Sequence, residues 1–163
     1  MSKKLYTLGE VITILEKEKQ IGNIVDFRIL PTHINSEFKK EYDTIPKWAD
    51  YIVRNMYNVN RDSINGNNPF NHCYIKLAED RKGNILAIQH GKSSFHRGYE
   101  SDLKYWGIDK NDDEKVELKK YMKENNLKWY TETYIFIKVN NMYSKEEAKA
   151  YEEKLKIIAN TFD

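Results

Sequence analysis

The stretch His72-Cys73-Tyr74-Ile75-Lys76-Leu77-Ala78-Glu79, Asp80-Arg81-Lys82-Gly83-Asn84, Ile85-Leu86-Ala87-Ile88-Gln89 decides the fold class. Its two flanks are apolar-rich runs of strand length, bounded by turn formers. Glycine adopts positive φ at no steric cost, and Asp and Asn fold their side chains back onto turn amides. The stretch therefore reads as a β-hairpin: strand His72–Glu79, turn, strand Ile85–Gln89. A hairpin alone is marginal in water, so more strands and a covering layer are needed.

Both lie on either side. Downstream, Trp129 to Val139, with Tyr134, Ile135, Phe136, Ile137 and Val139, reads as a strand. Upstream, Asn23 to Leu30 alternates around Ile24, Val25, Phe27 and Ile29, and Pro31, lacking an N–H, ends the run. Thr7 with Glu10 forms a capping box ahead of Leu8, Val11, Ile12 and Leu15, which predicts a helix from Thr7 to about Lys19, stopped at Gly22. Ser144 with Glu147 is a second capping box, followed by the stripe Ala148, Tyr151, Leu155 and Ile158 of a last helix. Further helices are expected within 35–45, from Pro46 through Ala49, Ile52, Val53 and Met56, around Tyr99–Trp106, and from Asp113 to about Asn125. The Asn-rich segment Asn58 to Phe70 reads as a loop. It separates a mainly helical N-terminal part, 1–57, from a core at 71–160. The expectation is one α+β domain over 1–163: a small antiparallel sheet with a central β-hairpin, packed by several α-helices.

Composition narrows the function classes. Apolar residues make up 40% and charged residues 32%, a globular rather than a disordered balance. Lys and Arg number 27 against 25 acids, so a nucleic-acid footprint would have to be a local patch rather than a global field. A single cysteine, Cys73, excludes an internal disulfide and suits a reducing compartment. No signal peptide and no apolar run of membrane-spanning length is present, which predicts a cytoplasmic protein with no membrane partner.

Several residues suggest chemistry. The order along the chain is Tyr74 in the first hairpin strand, Gly83-Asn84 in the turn, Gly91-Lys92-Ser93-Ser94 at the exit, then His96-Arg97, and Glu152 on the last helix. Across residues 71–160 this order resembles the GIY-YIG nucleases, in which a hairpin carries two tripeptides, a following helix an arginine and a later helix a metal-binding glutamate. Leu103-Lys104-Tyr105-Trp106-Gly107-Ile108-Asp109 is similar to that family's helix end. Tyr74 matches the tyrosine of the first tripeptide, with His72 and Cys73 in place of its Gly-Ile. Gly91 matches the glycine of the second, with Gln89 and His90 in place of its Tyr-Ile. The resemblance implies that Tyr74, or His90 or His96 in place of the missing second tyrosine, acts as proton acceptor. It also implies that Arg97 binds phosphate and that Glu152 holds Mg²⁺ or Mn²⁺. Lys92, Ser93, Ser94, Arg97 and Lys104 are the expected nucleic-acid contacts. Each residue also has an ordinary reading, as packing, turn or solvated charge.

Three other patterns stand beside this one. His72, Cys73, His90 and His96 are zinc-type donors without any paired ligand spacing. Gly91-Lys92-Ser93-Ser94 is no Walker loop, because position 86 is Leu86 rather than glycine. The interleaving of Lys92, His96, Arg97 and Lys104 with Tyr99, Tyr105 and Trp106 suits single strands or distorted duplexes, where phosphates meet cations and bases stack on rings. Two functions follow as expectations. One is a diverged metal-dependent endonuclease of GIY-YIG type. The other is a non-catalytic binding, regulatory or inhibitor protein from a mobile element, with a protein or nucleic-acid partner. The endonuclease requires Tyr74, Gly91, Arg97 and Glu152 to converge on one cleft.

Overall fold

The computed structural model describes residues 4–31, 46, 48–49, 71–93 and 113–163. The helices expected within 35–45 and around Tyr99–Trp106, the loop Asn58–Phe70, and most of the helix opened by Pro46 lie outside these residues.

Helix α1 (Leu8–Gln20) starts as its capping box requires. The Thr7 hydroxyl accepts from the Glu10 amide at 3.2 Å, and the Glu10 carboxylate accepts from the Thr7 amide at 3.0 Å. Gly22, at φ +84°, ends it in the left-handed conformation that glycine alone adopts cheaply. Strand β1 (Asp26–Pro31) begins later than the alternation suggested, because Asn23 still bonds back to the Glu18 carbonyl. Pro31 is its last paired residue rather than its stop: at a strand end the missing N–H costs nothing.

The hairpin forms as β2 (His72–Glu79) and β3 (Ile85–Ser93), and β4 (Lys128–Lys138) is the long downstream strand. In the turn, one Asp80 carboxylate oxygen accepts from the Lys82 and Asn84 amides, both at 2.9 Å, with Gly83 at φ +85°. The sheet is antiparallel with order β1-β4-β2-β3, so the N-terminal part contributes an edge strand to the same core. The fold is α+β with a small antiparallel sheet, as the sequence predicts. One departure is that β3 continues through Gly91-Lys92-Ser93, which reads as a loop by residue type but pairs with His72–Tyr74.

Helices cover both faces. On the inner face, α1 and α3 (Lys145–Ile158) bury Cys73, Ile75, Ile135 and Ile137 against Val11, Leu15 and Leu155, all at 0% exposure. Each such aliphatic burial contributes about 1.5–3 kcal/mol, which makes this layer the main stabilising element. On the outer face, α2 (Asp113–Glu124) covers Ala78 and Ile88 with Leu118 and Met122. Leu30, Phe136, Ala49 and Met142 form a second outer cluster. The Ser144 box at the start of α3 closes only halfway. The Ser144 hydroxyl accepts from the Glu147 amide at 3.1 Å, but the Glu147 carboxylate accepts from the Asn141 amide instead. Among the described residues no helix is long and apolar enough to cross a membrane.

Candidate functional site

Strand alternation sorts the expected site residues onto two faces. Tyr74 is the cross-strand partner of Gly91, and its ring lies directly over that glycine: a Cβ there would fall well inside contact distance of the ring carbons and Oη. The two hairpin residues that carry the family resemblance therefore do meet. They meet on the outer face.

A row of rings runs from that point. Tyr74 stacks on Tyr134 with centroids 5.8 Å apart and planes at 16°. His72 stands 6.4 Å from Tyr74 and 6.0 Å from Phe136. Lys76 lies opposite Tyr134 in the β2–β4 register, and its ammonium sits 5.8 Å from the Tyr134 centroid and 5.9 Å from that of Trp129. Tyr74, Lys76 and Tyr134 are half-buried, and Trp129 is 36% exposed. A double irregularity brings Trp129 and Tyr134 to the same cation. Between Lys76 and Leu77 the partners in β4 jump from Tyr134 to Tyr130. In β3 they jump from Gln89 to Ala87. Chemically the patch presents the exposed Trp129 ring for stacking and an ammonium held against two rings, while Tyr74 and Tyr134 also pack against the Leu30, Ala49, Phe136 and Met142 cluster.

The inner face holds the other expected residues. Cys73 Sγ approaches the Ala148 carbonyl of α3 at 3.2 Å. Burial pushes this thiol well above its ordinary pKa; Glu152 raises it further and Lys92, the cross-strand partner of Cys73, lowers it. Glu152 and Lys92 thus act on Cys73 with opposite sign, on the α3 side of the sheet. Glu152 borders the stripe Ala148, Tyr151 and Leu155, but that stripe faces away from Tyr74. His90 is also inward, 3% exposed, with Nδ1 2.7 Å from Thr161 Oγ1 and Nε2 2.9 Å from Asp163 Oδ1. Burial lowers its pKa, and Asp163 opposes that shift. Both ring nitrogens are engaged, so the proton-acceptor role expected of His90 beside Tyr74 is not the one its position serves. The sheet separates Tyr74 from Glu152, His90 and Lys92. Ser94, His96, Arg97 and Lys104 lie outside the described residues. Ser93 is described only as a backbone position, paired with His72.

Among the described residues no three His, Cys, Asp or Glu side chains cluster as metal donors. Glu152 would supply one carboxylate, and Mg²⁺ or Mn²⁺ there would draw the rest of its shell from water and phosphate oxygens. The described members of the zinc-type set do not assemble either: His72 and Cys73 point to opposite faces, and the His90 nitrogens are occupied. The residues that sequence reading missed are Lys76 and Trp129. For Lys76 a signal was present as Tyr74-x-Lys76, an aromatic and a cation at strand period, whereas Trp129 reaches it only through the register jump in β4. Comparison with family models, curated proteins and solved structures finds no match to this chain.

Proposed function

We propose that this chain is a non-catalytic binding protein whose outer sheet face takes single-stranded nucleic acid, in keeping with a regulatory or inhibitory role for a mobile-element protein. The observation that carries the reading is the Lys76 ammonium set between the Trp129 and Tyr134 rings beside the Tyr74–Tyr134 stack. Bases stack on such rings at about 1–3 kcal/mol each, whatever their sequence, while a cation tracks the backbone. Anisotropy titration of a labelled single-stranded oligonucleotide tests it. Trp129→Ala weakens binding by roughly 5- to 150-fold. Lys76→Gln lowers the salt slope by about 0.7. Binding that both substitutions leave intact overturns the proposal.

A GIY-YIG-type endonuclease is the second reading, favoured by the Tyr74 ring over Gly91. The opposite facing of Tyr74 and Glu152 places it second. Plasmid incubated with Mg²⁺ or Mn²⁺ separates the two. Cleavage abolished by Glu152→Ala and Arg97→Ala restores the nuclease; cleavage indifferent to both removes their assigned roles.

A further inference from the structure

We propose that Asn160–Asp163 is a releasable strap, keyed by His90, that covers the edge of β3 facing away from β2. Asn160, at φ +53°, turns the chain off the end of α3 and back toward β3. Phe162 then pairs in parallel with Gln89: its amide donates to the Ile88 carbonyl at 2.7 Å, and its carbonyl accepts from the His90 amide at 2.9 Å. The Phe162 ring packs on Tyr121 of α2 at 5.2 Å. Side chains fasten the rest. His90 bridges Thr161 and Asp163, Lys156 meets the second Asp163 oxygen at 3.0 Å, and Gln89 donates to the Asp163 carbonyl at 2.8 Å.

The strap is four residues at the rim of the sheet, joined to β3 by two backbone hydrogen bonds and these polar contacts, with Phe162 packed against the Ala78, Ile88, Leu118 and Met122 cluster. Such segments open locally, at free energies below that of global unfolding. Opening bares the Ile88 carbonyl and the His90 amide on that edge of β3.

His90 makes the strap responsive to acid. The Asp163 carboxylate only accepts, so Nε2 carries the hydrogen and Nδ1 accepts from the Thr161 hydroxyl. A proton on Nδ1 removes that acceptor. The charged groups facing the ring are Asp163 and Glu153, which favour the cation, and Lys156, which opposes it; burial dominates and holds the imidazole neutral. The strapped form thus binds its proton less readily than the released form, whose imidazole has the ordinary value near 6.5. The strap is fully fastened above that pH. Below it, release becomes easier by up to about tenfold per pH unit.

Hydrogen exchange of the whole chain, expressed as protection factors, tests this through the Phe162 and His90 amides. In the wild type at pH 7.5 they exchange at least tenfold faster than the most protected amides of β2 and β4, and they loosen further at pH 5.5. Thr161→Val and Asp163→Asn each raise strap exchange tenfold or more and leave the central strands unchanged, and His90→Gln abolishes the pH response. Strap and central amides exchanging together in the wild type, or both sets shifting equally in the variants, would overturn the strap.

Discussion

Gly91→Ala isolates the contact on which the outer face is built. Gly91 keeps an ordinary strand φ, since the described glycines with positive φ are Gly22 and Gly83, so alanine meets no backbone strain there. The conflict is steric: the new methyl enters the space of the Tyr74 ring. That ring is held by Tyr134 at 5.8 Å and His72 at 6.4 Å, so it yields only by breaking its stack. Overpacking of this kind costs about 1–3 kcal/mol, and the movable ring places this case near 2. A domain of this size loses about 2–4 °C of Tm per kcal/mol, so Tm falls by about 4–8 °C. With Tyr74→Ala already made, the same change fills a hole and replaces a flexible glycine, and its sign reverses to a gain of about 0.5–1 kcal/mol. The double-mutant cycle therefore yields a coupling of about 2.5–3 kcal/mol from urea midpoints. Equal costs for Gly91→Ala with and without the Tyr74 ring would show that the methyl does not meet that ring.

Other outcomes follow from the inner face. Tyr151→Phe removes the hydroxyl that donates to buried Glu18 at 3.1 Å and lowers unfolding free energy by about 1–2 kcal/mol in urea titrations. Burial alone would raise the Glu18 pKa, but hydrogen bonds from Lys154, Asn23 and Tyr151 hold it below the ordinary value. Its stabilisation is therefore present above about pH 4.3 and is lost as acid titrates the folded form. In Glu18→Gln the urea midpoint should vary less between pH 5 and pH 3; an unchanged pH dependence would contradict this. Cys73 is fully buried with a raised pKa, so a disulfide reagent should modify it only in proportion to the unfolded fraction. Rapid stoichiometric reaction of the native protein would contradict that burial.

Local chemistry was legible in the sequence where it acts alone. The Asp80–Asn84 turn, the Thr7 capping box and the apolar stripes of α1 and α3 all form, because each depends on residues within a few positions. The β3 extension was missed because Gly91-Lys92-Ser93 has loop composition and is held in the sheet only by pairing with His72–Tyr74. The faces of the site were hidden for a related reason. Counting back from the turn without interruption pairs Tyr74 with His90. The irregularity at Lys76/Leu77 leaves Ile88 unpaired in β3 and shifts the partner of Tyr74 to Gly91. One extra residue thus decides which side chain meets the ring, and nothing local encodes it. The approach of Lys76 to both Trp129 and Tyr134 depends on the matching jump in β4 and was illegible for the same reason.

On the proposed function, nucleic acid lies on the outer face. Ultraviolet cross-linking of a single-stranded oligonucleotide to the intact chain, followed by peptide mass spectrometry, reads that face directly. Adducts at Trp129, Tyr134 and Tyr74 are the predicted result. Adducts confined to α3 around Glu152 and Tyr151, or no adduct at saturating oligonucleotide, would contradict it.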